Sequence, residues 1–524
     1  MKKLYYNGDF ITLENKNVQA ILIEDNIIKK VGTLEELRQY KDNDTQIYDL
    51  QGKTMMPSFI DAHSHFSGVA NHFLKVNLEG CTSFSKIQEK LLQYKKEKSI
   101  PDNEWIIAEG YDHNTLEEKE HPTKECIEQV LPNNPVVLQH KSGHMGVFNS
   151  KALTMLDVTE NTKQIEGGKI EKQDGKLTGY MEENAFIYYI KKIPMPNLQD
   201  LMKAYEKAQQ YYASYGITTI QDGMMYANMI PIYKKLIEEK ILQLDVVSYI
   251  PPKERDVFFQ QAKEHIKKYK NHWKIGGYKI FLDGSPQAKT AWMRTPYQGD
   301  ESYFGVSTMK DEEVDKAIQI AKETSMQILA HCNGDGAAQQ LIESIKRNSK
   351  NIEKIRPVMI HAQLLGIDQI KEMKPYGIIP SFFIAHIYHW GDVHIKNFGY
   401  ERASAISPAK TAWKENRIFT FHQDAPVIAP NMFETIWCAV NRITKEGKIL
   451  GEKEKISVLE AIKAVTIHSA YQYFEEGRKG SIKEGKLANL IIVQKNPLKV
   501  SLEELKNIQV LETIQEGKTI FKRE

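Results

Sequence analysis

Eight times along this chain a short, β-rich apolar run ends in polar residues. The runs read "SFIDAHSHF", "GITTIQDG", "LQLDVVSYI", "GGYKIFLDG", "MQILAHCNGD", "RPVMIHAQ", "YGIIPSFF" and "RIFTFHQDAPV". Helical patterns such as "LMKAYEKAQQYYASYG" and "KDEEVDKAIQIAKETS" lie between them. Strands that alternate with helices predict a parallel sheet, because parallel neighbours need a long crossover. Eight such units predict an α/β fold of the (β/α)8 TIM-barrel type, spanning 57–471. The polar ends of its strands then gather at one rim, where barrels of this kind hold their active sites.

Two departures from the repeat define the remaining organisation. Roughly 150 residues separate the first run from the second, far more than a loop needs. That stretch contains "WIIAEGYDHN", "PVVLQHKSGHMGVFNSKAL" and "KLTGYMEEN", and predicts an inserted subdomain over the barrel mouth, at 75–200. The first end, 1–56, reads as short strands around Asn-Gly and Asp-Asn turns, and the second, 472–524, as short strands of the same kind. Neither end can bury a sheet face alone. Together they predict one composite β-sandwich domain.

Composition excludes several classes of function. Hydrophobic residues make up 41% of the chain and charged residues 26%, as in ordinary globular proteins. The net charge is only +2, so neither nucleic acid nor an anionic membrane is an expected partner. The opening "MKKLYYNGDF" lacks the apolar segment of a signal peptide, and no apolar run is long enough to span a bilayer. The four cysteines, Cys81, Cys126, Cys332 and Cys438, show no paired spacing. They fit a reducing, cytoplasmic location. A homodimer is compatible with such a barrel, although no residue pattern requires one.

The strand ends share one chemistry. The first run ends in His63 and His65, the fourth carries Lys279, the fifth His331, the sixth His361 and the eighth Asp424. Residues i and i+2 of a strand face the same side, so His63 and His65 are expected to grip one ion together. Imidazole nitrogen and carboxylate oxygen are the usual ligands of Zn²⁺ and similar divalent ions. Lys279 is the odd member. Burial beside cations favours its neutral amine, which can take up CO₂ to form a carbamate that bridges two metals. The other reading is a lysine that packs, or contacts substrate, beside a single metal.

With these residues in view, the chain resembles the amidohydrolase superfamily, in the branch of N-substituted formamide deformylases. The resemblance runs through "PSFIDAHSH", "GYKIFLDGSPQAKTA", "AHCNGDGA", "IHAQLL", "HQDAPV", "HKSGHMGVFNSKAL", "KLTGYMEE" and "KGSIKEGKLANLIIV". It implies that His63, His65 and Asp424 hold one metal ion and that His331 and His361 hold another. A carboxylated Lys279 would bridge the two, with Zn²⁺ as the expected metal. It also implies that His144, Glu182 and His386 bind substrate. Two places depart from the pattern: His422-Gln423 precedes Asp424 where Gly-Ser is more usual, and Asn489 stands where relatives have Asp.

The implied activity is hydrolysis of a C–N bond in a small amide, N-acyl or N-formyl compound by a metal-activated hydroxide. Asp424 is the expected catalytic proton shuttle and His144 an expected oxyanion donor. Asp61 either orients the metal ligands or makes a strand-end hydrogen bond. Tyr111 and Asp112 in "EGYD" are read as lid residues or as a packed loop. Other reactions on this scaffold are the alternatives: opening of a cyclic amide or lactone, deamination, or a silent regulatory relative.

Overall fold

The computed structural model describes residues 2–14 and 18–524. The chain forms two compact units, one of residues 1–67 and 208–524 and one of residues 68–207. The second is wider at both ends than the 75–200 read from the sequence. The chain ends cluster with the barrel strands in the first.

The first unit is built on eight parallel strands: β1 (Phe59–Ile60), β2 (Ile217–Asp222), β3 (Asp245–Ile250), β4 (Trp273–Phe281), β5 (Gln327–Cys332), β6 (Val358–His361), β7 (Ile379–Phe382) and β8 (Thr420–Phe421). Each lies in one of the eight apolar runs. Neighbours pair in chain order, β1 beside β2 through to β7 beside β8. The His65 N–H donates to Ala425 O at 2.8 Å, tying together the segments that follow β1 and β8. The result is a TIM-like barrel.

Burial explains why these runs are strands. Every residue of β2 and of β3 is buried, the continuous pattern of a sheet covered on both faces. Inside, Ile60, Val247, Leu329, Val358, Ile360 and Ile379 pack as one cluster drawn from five strands. Each such side chain contributes about 1.5–3 kcal/mol by leaving water. Outside, helix Asp311–Glu323 buries Val314, Ala317, Ile318 and Ala321. That spacing is the apolar stripe of a helix lying on a sheet.

Two further sheets belong to this unit. Residues 2–6, 20–24, 27–32 and 46–49 form a four-stranded sheet. A five-stranded sheet joins residues 9–10 and 54–57 to 490–493, 510–515 and 518–522. Tyr5, Ile21 and Ile23 of the former share a core with Met55, Leu490 and Ile514 of the latter.

The second unit carries a six-stranded sheet with both faces covered. Along its strand Val136–His140, Val136 and Leu138 enter one core and Val137 the other, the period-two alternation of a strand.

The C-terminal segment is anchored to the barrel by buried charge. Lys479 Nζ lies 2.5 Å from Asp245 Oδ2 and 2.6 Å from Glu475 Oε2, all three side chains being buried. Lys274 closes on Glu475 as well. Removing one partner strands the others without water, which typically costs about 3–5 kcal/mol. Lys479→Met is therefore expected to lose about that much stability, read as a lowered denaturant midpoint; an unchanged midpoint would show the network to be neutral.

Candidate metal centre

The barrel brings together all six residues singled out at the strand ends. Lys279 lies within β4, His331 within β5, and His361 ends β6. The strand-parity reading of His63 and His65 is corrected. β1 stops at Ile60, and both histidines occupy the irregular segment beyond it. Their rings nevertheless converge: His63 Nε2 and His65 Nε2 lie 3.4 and 3.2 Å from Asp424 Oδ1. Asp424 also follows its strand, with a φ of 56°. A left-handed backbone at a non-glycine residue is uncommon, and here it carries the carboxylate to the rim. His361 Nε2 stands 4.0 Å from Asp424 Oδ2 and 3.1 Å from His331 Nδ1. Lys279 Nζ stands 3.2 Å from His63 Nε2.

The far nitrogen of three of these rings is spoken for. His63 Nδ1 meets Gln221 Oε1 at 2.5 Å. Gln221 Nε2 donates to Ala62 O and to Tyr473 Oη, at 2.9 and 2.8 Å. The amide oxygen must then accept, His63 carries its proton on Nδ1, and its Nε2 lone pair faces the centre. His331 Nε2 lies between Gly284 O at 3.1 Å and Asn333 Nδ2 at 3.0 Å, and its Nδ1 faces His361. His361 Nδ1 pairs with His422 Nε2 at 3.2 Å, and His422 Nδ1 with Ser381 Oγ at 2.9 Å. Metal-bound histidines are held in this way by partners behind them.

Electrostatics match. Burial, then the nearby Lys279 ammonium, takes the His331 imidazole down to about 4. Burial likewise holds His63 and His361 well below the usual histidine range. These rings are neutral at pH 7, the form that binds metal. Burial pulls the Lys279 amine down to about 7, against the opposing Asp424 carboxylate. Burial would raise the Asp424 carboxyl, but the surrounding imidazoles hold it well below the carboxylate range. Asp424 Oδ1 is buried, and the groups nearest to it are the imidazole nitrogens of His63 and His65. A buried carboxylate oxygen ringed by imidazole nitrogens is a donor set suited to a divalent cation, and His63, His361 and Asp424 bring one ligand atom each within 4.8 Å of the others.

The remaining site residues fall elsewhere. Asp61 is fully buried and its Oδ1 accepts the His63 N–H at 3.3 Å, so it braces the histidine segment. His386 is buried at the start of helix His386–Phe398, with Nδ1 3.1 Å from His394 Nε2. His144 and Glu182 belong to the second unit. There the His144 ring pairs with Glu183 at 3.1 Å, while Glu182 faces Lys169 at 3.7 Å. The brace at Gln221 was missed from sequence, although it is a polar residue near a strand end like those that were found.

Residues 46–521 match the Amidohydrolase family, and the chain belongs to that family. Putative amidohydrolase YtcJ of Bacillus subtilis is 27% identical, with 100% of each chain covered. N-substituted formamide deformylase of Arthrobacter pascens is 25% identical over 99% of this chain and 98% of its own. An uncharacterized metal-dependent hydrolase from Pyrococcus furiosus superposes with a TM-score of 0.79 at 25% identity, covering 95% of this chain and 100% of that one.

The brace on His63 is open to test. Gln221→Leu keeps the volume but removes the acceptor behind the ring. Loss of such a partner typically weakens metal binding about 10–100-fold. Competition with a chromophoric chelator should show a drop of that size for Zn²⁺, and undiminished affinity would make Gln221 a packing residue only.

Proposed function

We propose that this protein is a divalent-metal hydrolase that cleaves the C–N bond of a small amide, N-acyl or N-formyl compound. The observation that carries the proposal is the convergence of four imidazoles, one buried carboxylate and one buried amine. Similarity over nearly the full length to an N-substituted formamide deformylase supports the bond type. A silent regulatory relative has no need of the ligand set, which is complete here.

His63, His65 and Asp424 are suited to one ion, and His331 and His361 to a second. Lys279 is the candidate bridge. Its amine is buried, with its proton affinity lowered by desolvation, so the neutral form needed for reaction with CO₂ is accessible near neutral pH. When bound, the metal supplies Lewis-acid polarisation of the carbonyl and a nucleophile from water at neutral pH. Zn²⁺ suits the nitrogen-rich donor set.

The protein's own part is proton management and positioning. Attack forms a C–O bond, and collapse breaks the C–N bond. The proton lost by the attacking water must reach the departing nitrogen. Asp424 is placed for that transfer: its carboxylate lies among the candidate metal ligands, with Oδ1 between His63 and His65. It accepts the proton during attack and returns it to the amine. His386, buried close enough to sense the Asp424 carboxylate, bounds the substrate end of the barrel.

Zinc-loaded protein screened against N-formyl and N-acyl amines should release the amine. Asp424→Asn should stay folded and lose about 10²–10⁴ in kcat, the usual worth of a general acid–base. Wild-type turnover in that variant would remove Asp424 from proton transfer. Chelation should abolish activity and Zn²⁺ restore it; activity that survives full metal removal would overturn the reading.

A further inference from the structure

We infer that the second unit carries a metal site of its own, formed by Asp112, His113 and His140, for a borderline divalent transition ion such as Zn²⁺. The set shares no residue with the barrel centre.

The site arises from strand pairing. Strand Ile106–Tyr111 runs parallel to strand Val136–His140, with His140 in register with Tyr111. Asp112 and His113 leave the end of the first strand, while His140 ends the second. Three potential ligands thus meet where two parallel strands stop. One donor atom from each lies within 4.8 Å of the others.

The distances suit an ion. His113 Nδ1 and His140 Nε2 are 3.3 Å apart. Two Zn–N bonds of ~2.0–2.1 Å at the tetrahedral angle separate their nitrogens by roughly 3.3–3.4 Å. Asp112 Oδ1 is 3.7 Å from His140 Nε2, close enough for both to reach one ion after a small shift of the carboxylate.

The surroundings fix the positions of these groups. Asp112 and His140 are buried. The other Asp112 oxygen takes the Lys141 ammonium, and Asn114 N and Nδ2 donate to Oδ1 at 3.0 and 3.1 Å. His113 stacks on His121, with ring centres 4.0 Å apart. The His121 ring is itself pinned through Nδ1 to Tyr111 Oη at 3.0 Å, so it steadies His113 without ligating. Ser142 Oγ, 2.9 Å from His140 Nδ1, can accept the proton that a metal at Nε2 leaves on that nitrogen. The Ser142 N–H approaches the same atom at 3.1 Å and favours the opposite tautomer in the metal-free ring, so binding must turn the tautomer. Burial, and then His113, lowers the proton affinity of His140, which keeps it neutral and able to bind. Three protein ligands leave a position open to solvent or a ligand.

The test separates this site from the barrel centre. In the full chain with His63, His331 and His361 all changed to Ala, Co²⁺ titration should still give a single saturable equivalent with a visible ligand-field band. Adding His113→Ala and His140→Ala should abolish both. Absence of saturable Co²⁺ binding in the first variant, or its survival in the second, overturns the inference. Should the barrel substitutions unfold the chain, stripped wild-type protein and His140→Ala are compared by Zn²⁺ calorimetry, with circular dichroism as the control for folding. Loss of one equivalent supports the site, and equal stoichiometry overturns it.

Discussion

The barrel centre depends on a hydrogen bond that touches no ligand atom. Tyr473 Oη donates to Asp61 O at 2.7 Å, so its oxygen is free to accept from Gln221. Gln221 in turn can present only its carbonyl oxygen to His63. Each step leaves the next group one choice, and the last fixes which nitrogen of His63 looks inward. Tyr473 comes from the segment that Lys479 anchors to β3, so the C-terminal part of the chain reaches the metal ligands through two buried contacts. Stability and chemistry are linked at that point. A change that frees the Tyr473 segment removes the reason for the His63 tautomer.

Such a centre is costly to build without its ion. Four imidazoles, an amine and a carboxylate crowd into space from which water is largely excluded, and each charged form is penalised by desolvation. The chain answers by lowering the proton affinity of His63, His331, His361 and the Lys279 amine while leaving one carboxylate ionised among them. That arrangement carries little like-charge repulsion in the metal-free protein. It also offers a divalent cation unprotonated nitrogens, so that binding need not first displace protons from the rings. A lysine with an ordinary ammonium would reverse the balance. This is why the burial of Lys279 matters as much as its position.

The strands were legible because a barrel strand covered on both faces leaves a continuous apolar run, and a run that ends in histidine or aspartate advertises its rim. Asp424, His331 and His361 were readable on that basis. The placement of His63 and His65 was not, because strand parity requires a strand, and β1 is only two residues long. Their convergence comes instead from an irregular segment held by Asp61 and by the His65 N–H to Ala425 O bond. Gln221 was hidden for another reason. Amide side chains near strand ends are usually ordinary hydrogen-bonding residues, and only its two fixed donor bonds single it out. His422 stood out in sequence as a departure from the family pattern; the fold gives it a partner in His361, a contact between adjacent strands that the linear order conceals.

The two clusters in this chain rest on one geometric fact. Parallel strands all end at the same edge, so side chains just past their ends are brought together whatever their distance in sequence. In the barrel, residues from 63 to 424 meet in this way. In the second unit, two neighbouring strands suffice for Asp112, His113 and His140. The difference lies in what stands behind the ligands. In the barrel, Gln221 offers His63 only an oxygen and so holds one tautomer. His140 is backed by Ser142, which offers both a donor and an acceptor and so leaves the ring able to switch. A ring with a fixed tautomer presents the same nitrogen with or without a metal, whereas a ring that must turn would give up part of its binding energy in doing so.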